Sequence, residues 1–168
     1  MADPTHATRW LDTQQQRVWR AYLLGTTRLT ARLDRDLSAR HGVSLPEYEI
    51  LVRLSEAPGR RMRMAELADS LNHSRSRLTH SVARMETESL VSRGSCEEDR
   101  RGVYAALTEA GYDLLVSAAP THVEGVRRYL VDAVSPEDFA AVGRVFTAVV
   151  DSVDDDRAGF SRGSACGR

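Results

Sequence analysis

Hydrophobic residues recur at helical spacing over most of this chain, and polar caps cut the pattern into discrete segments. From Leu11 to Arg40 no proline intervenes, and Leu11, Val18, Tyr22, Leu29 and Leu33 fall at inner positions. His41-Gly42 supplies a stop, because glycine past a helix end readily takes a left-handed cap. Ser44 and Glu47 bracket Leu45-Pro46 as a capping box with proline in the first turn. The helix they open places Tyr48, Leu51, Val52 and Leu54 on or near one face, and Pro58-Gly59 ends it. Arg60 to Arg63 reads as a short extended bridge at best. Met64 to Leu71 predicts a short helix with Leu67, Ala68 and Leu71 inward, followed by a tight turn at Asn72-His73. Ser74 then caps a helix reaching about Glu88, anchored by Leu78, Val82 and Met85.

After that helix the period changes. Leu90 to Cys96 alternates as a strand does, Glu97 to Gly102 is polar and suits a turn, and Val103 to Leu107 is β-branched and aromatic at its start. Together they predict a hairpin. Thr108 caps a further helix running toward Val134, with Pro120 as the place for a bend. Ser135-Pro136-Glu137-Asp138 opens the last helix, whose stripe is Phe139, Val142, Val145, Phe146, Val149, Val150 and Val153. The segments 1–9 and 154–168 are polar and read as flexible tails.

Two helices joined by a tight turn and followed by a hairpin are the parts of a winged helix-turn-helix. The fold class expected is therefore all-α with a small β-hairpin wing. A DNA-binding domain would occupy 43–107, with a helical dimerisation domain built from 10–42 and 108–153. The helix begun at Ser74 would offer Ser74, Arg75, Ser76 and Arg77 to a major groove from its first turn, with Thr79, His80 and Arg84 further along the same side. The competing reading is a surface helix whose arginines merely meet solvent. Charge distribution separates the two. The net charge is −1, yet from Leu71 through Met85 the charged residues are Arg75, Arg77 and Arg84, with no acid among them. All 23 basic residues are arginine, a planar fork suited to phosphates and base edges. The turn carries Asp99, Arg100 and Arg101, and a wing arginine can enter the negative minor groove.

These residues also resemble the core pattern of the multiple antibiotic resistance regulator (MarR) family. The likeness runs through Arg63 to Ala68, Ser74 to Glu86, Leu90-Val91, Asp99-Arg100-Arg101-Gly102-Val103 and Leu107-Thr108-Glu109-Ala110-Gly111. The resemblance implies a homodimer whose first and last two helices interleave, a pseudo-palindromic operator, and Asp99 bracing Arg101 toward the minor groove. It further implies a small aromatic or anionic effector between the two kinds of domain, with Trp19, Arg20, Tyr22, His41 and Tyr48 as candidate lining. Ordinary core packing is the alternative for each of those five. Ser89 stands where the family usually has glycine.

The remaining chemistry is thin. Cys96 and Cys166 form neither a disulfide framework nor a zinc motif, and the five histidines lack ligand spacing. No phosphate loop or nucleophile elbow suggests an enzyme, and no cofactor is expected. No apolar run approaches a membrane span, and a cytoplasmic location is expected. The functional expectation is a ligand-responsive repressor of transcription that binds double-stranded DNA. A helical scaffold or adaptor whose winged domain contacts protein is the alternative.

Overall fold

The computed structural model describes residues 8–95 and 102–163. The chain divides into two compact units, Met1–Gly125 and Val126–Arg168.

The first unit opens with α1 (Thr13–His41), capped by Asp12 through Gln15 and closed by Gly42 at φ 69°, whose N–H donates to the Ser38 carbonyl. α2 (Leu45–Glu56) follows, then a 3-10 turn at Pro58–Arg60. Next come β1 (Arg61–Arg63), α3 (Met64–Ser70), α4 (Arg75–Thr87), β2 (Val91–Ser95), β3 (Val103–Leu107) and α5 (Glu109–Tyr129). The predicted helices and caps are present. The extended bridge is more than a bridge, because β1 pairs with β3 and makes the expected hairpin a three-stranded antiparallel sheet in the order β1-β3-β2. Register runs from Arg61 opposite Ala106 to Arg63 opposite Tyr104, and from Val91 opposite Leu107 to Ser95 opposite Val103.

The core of this unit is aliphatic. Leu37 of α1, Ile50, Leu51 and Leu54 of α2, Leu67 of α3, and Leu78, Val82 and Met85 of α4 are all fully buried. Each such side chain contributes about 1.5–3 kcal/mol relative to leaving it in water. β3 alternates as a half-buried strand should, with Ala105 and Leu107 inward. Only the second half of α1 takes part. Leu33 and Leu37 are buried, whereas the expected inner residues Leu11, Val18 and Tyr22 are exposed in the single chain.

A tight junction joins α4, the sheet and α5. Thr108 accepts the Gly111 N–H on its hydroxyl oxygen at 2.9 Å, and its O–H donates toward the Ser89 and Leu90 carbonyls. A Cβ on Gly111 would lie 2.1 Å from the Leu90 carbonyl oxygen, so that position admits only glycine without backbone movement. The spacing Leu107-Thr108-x-x-Gly111 is thus one cap plus one close approach.

In the second unit the end of α5 passes through a 3-10 turn at Val131–Ala133, braced by an Arg127–Asp132 ion pair of 2.8 Å, into α6 (Pro136–Gly163). Ser135 accepts the Asp138 N–H at 3.1 Å, as its capping position predicted. The helix does not stop at Val153. Its backbone continues to Gly163, which corrects the expectation of a flexible tail from residue 154. The acidic run there is polar but contains no proline, and extending an existing helix is far easier than starting one.

Candidate nucleic-acid interface

α4 presents two chemically distinct sides. Leu78, Val82 and Met85 lie at helical spacing and are fully buried, while Ser74, Arg75, Ser76, Arg77, Thr79, His80 and Arg84 are all exposed. The Ser74 hydroxyl accepts the Arg77 N–H at 3.2 Å, fixing the start of the helix. The remaining free N–H groups of the first turn and the positive end of the helix dipole therefore face outward beside Arg75 and Arg77.

A hollow flanks α4 on each side. One, of about 330 Å³, lies between Arg75 and Thr79 and the base of the wing at Gly102 and Val103, with Arg63 on its rim. The other, of about 300 Å³, lies between Arg77, His80 and Arg84 and the start of α2 at Ser44 and Glu47. Among the described residues Arg75 and Arg77 carry no ion pair, whereas Arg84 is paired with Glu47. At its C-terminal end α4 is tied to β2, where Glu86 accepts the Arg93 N–H at 3.1 Å and its Nε at 2.8 Å. An exposed pair of this kind is worth about 0–1 kcal/mol, so the buried aliphatic side is what holds α4 in place. The candidate wing residues Asp99, Arg100 and Arg101, with Cys96, lie outside the described residues.

Sequence reasoning missed Glu47 as anything beyond a helix cap, and Arg63 as a neighbour of Arg75. Glu47 lies 37 positions from Arg84, and no local pattern marks a pairing at that distance. Arg63 reaches the wing base only through the β1–β3 pairing.

The five proposed effector residues do not converge within one chain. Trp19 and Tyr22 stack at 5.4 Å on the exposed first half of α1, and Arg20 lies beside them with its Nη2 3.5 Å from Gln16. His41 is at the other end of that helix, ~33 Å away along the axis, sharing a 2.8 Å hydrogen bond with Thr121. Tyr48 is buried, its ring centroid 4.8 Å from that of His122. Burial raises the Tyr48 phenol above its usual pKa. It likewise holds the His122 imidazole below its usual value, partly opposed by Glu49. Both rings face a cavity of about 390 Å³ completed by Glu49, Arg53 and Asn72, and His122 Nδ1 has no hydrogen-bond partner among the described residues. His122 was not among the candidates. Its place beside Tyr48 depends on the packing of α5 near α2, which periodicity alone does not reveal.

Comparison with known proteins extends the likeness in sequence. The MarR family model matches residues 41–102. The chain is similar to AbsC, a MarR family transcriptional regulator from Streptomyces coelicolor, at 42% identity and a TM-score of 0.83, covering 88% of this chain and 99% of that one. It is also similar to Sco3205, a MarR family transcriptional regulator from the same organism solved in complex with DNA. That match has 41% identity and a TM-score of 0.83, and covers 86% of this chain and 91% of the other. A more distant regulator, Sco5413, shares the fold at 16% identity and a TM-score of 0.75, covering 86% of this chain and 98% of that one. No curated protein matches the chain. Among the described residues no helix is long and apolar enough to cross a membrane.

Proposed function

This chain belongs to the MarR family of DNA-binding transcriptional regulators, and we propose that it acts as a homodimer in which two α4 helices read the halves of a pseudo-palindromic operator. The observation that carries the reading is the two-sided α4. Its aliphatic residues are buried, no acid occurs from Leu71 through Met85, and the N-terminal turn offers Arg75 and Arg77 with no ion pair among the described residues. The solution of the similar Sco3205 in complex with DNA supports the same partner here.

Exposed apolar surface supports dimerisation. Trp10, Trp19, Leu23 and Leu24 at the start of the chain, and Val145, Val149, Val150 and Val153 on α6, are each between 44% and 83% exposed. Monomers rarely leave so many large apolar side chains bare, and a second copy related by a two-fold axis would cover them while matching a palindromic site. On this reading the wing adds minor-groove contacts to those of α4. Occupation of the operator represses by blocking the promoter. An effector in the cavity beside Tyr48 and His122 releases it, through its preference for one spacing of the two reading heads.

The test is a mobility shift on the duplex upstream of the protein's own coding sequence. Arg77→Ala is expected to weaken binding by about 1–3 kcal/mol, roughly 5- to 150-fold. Equal affinity of the variant and the wild type would remove Arg77 from the readout.

A further inference from the structure

Glu47 is a charged residue in the wrong place for a helix cap alone. It is 3% exposed, one of the few buried polar groups among the described residues. A capping glutamate at the surface would do the same local work without the cost of leaving water. Its two oxygens are divided between two elements. Oε2 accepts the Ser44 backbone N–H at 3.0 Å and the Ser44 hydroxyl at 2.6 Å, while Oε1 faces the Arg84 guanidinium across the groove between α2 and α4. Burial would raise the Glu47 pKa, but the bonds from Arg84 and Ser44 outweigh it and hold the carboxyl below its ordinary range. It is therefore ionised at neutral pH. The same bond raises Arg84 further above its already high value.

Arg77, His80 and Arg84 form one stripe along α4, each three or four residues from the next, and all three line the hollow that Glu47 closes. Arg75 and Arg77 lie in the first turn of α4, the end that would enter a groove. Arg84 lies ~13 Å further along the axis than Arg75, and with the first turn of α4 in a groove it would stand nearer the phosphates than the bases. A free guanidinium there would add affinity for any duplex, without regard to sequence.

We propose that Glu47 is a positioning and specificity-determining residue of the DNA face, tying the α2 cap to α4 and keeping the Arg84 guanidinium off the phosphates. This rests on the reading of α4 as the DNA-binding helix. Arg84, singled out from sequence as a DNA contact, is on this account a tether. Glu47 limits affinity for random duplex and so widens the gap between operator and background.

The experiment measures binding of the full-length protein to a random-sequence duplex over a range of salt concentrations, for wild type, Glu47→Gln, Arg84→Ala and the double variant. Glutamine keeps the cap acceptor but removes the charge that holds Arg84. The slope of log K against log salt is expected to steepen by about 0.9 for each Arg84 released in Glu47→Gln. Arg84→Ala is expected to keep the wild-type slope, and the double variant to lose the steepening. A slope flattened by about 0.9 per protomer in Arg84→Ala would overturn the proposal, since Arg84 would already be on a phosphate. So would a wild-type slope in Glu47→Gln with an unchanged circular dichroism spectrum. If Glu47→Gln does not fold, the Arg84→Ala slope decides alone. Wild-type protein with no salt-dependent duplex binding would instead overturn the DNA reading itself.

Discussion

Ser89 occupies a left-handed conformation, φ 61°, at the end of α4, where a glycine would meet no steric penalty. The Leu90 N–H reaches back to the Met85 carbonyl at 2.9 Å and the Ser89 N–H to Glu86 at 3.0 Å, so the turn closes as a glycine cap would. Serine retains the geometry and bears the strain. Relieving the left-handed penalty of about 1–2 kcal/mol, less the entropic cost of glycine of about 0.5–1 kcal/mol, gives Ser89→Gly a net stabilisation of roughly 0–1.5 kcal/mol. Urea unfolding measures it, and a destabilised variant would show that the turn depends on the serine side chain. This strain is legible in sequence, as are the caps at Ser44, Ser74, Thr108 and Ser135, because each is set by residues within a few positions. The Glu47–Arg84 pair is not legible, because its partners meet only after α2 and α4 have packed.

The same division holds for elements. Helices with a one-sided apolar stripe and a cap at each end declare themselves, and α2, α4 and α5 do so. β1 does not, since its three residues become a strand only by pairing with β3, more than forty positions later. The end of α6 is not legible for the opposite reason, because a polar, proline-free run reads as a tail although it can continue a helix already begun, as here to Gly163. The cavity between α2, the α3–α4 turn and α5 makes a prediction at this scale. Burial holds His122 below its ordinary pKa, so the unfolded chain binds that proton more readily than the folded one. Stability therefore falls as pH drops through the unfolded value of about 6.5, and the loss ends below the folded value. Glu47 acts in the same direction but in the carboxylate range, at lower pH. His122→Gln is expected to flatten the urea midpoint between about pH 7 and 5.5 relative to wild type. A parallel loss in both proteins would show that His122 is not the group responsible.

At the scale of the whole molecule, much of the apolar surface of the helices lies outside the core. That core is formed by the second half of α1, α2 to α4, the sheet and the start of α5, while the first half of α1 and the stripe of α6 leave their apolar residues in contact with water. The apolar stripes were visible in the sequence. Which of them the chain covers by itself was not, because periodicity states that a face is apolar and is silent on what packs against it. The account joins these facts by placing two copies of α4 one helical turn apart on a duplex.

The most direct measurement of that arrangement is cleavage of operator DNA by iron-EDTA tethered at Ser76→Cys, in protein whose Cys96 and Cys166 have been replaced by serine. Ser76 is exposed on α4 between Arg75 and Arg77. The account predicts two clusters of strand breaks about 10 base pairs apart, or a multiple of that spacing, each centred on a major groove. Uniform cleavage, or none while the protein remains bound, would contradict it.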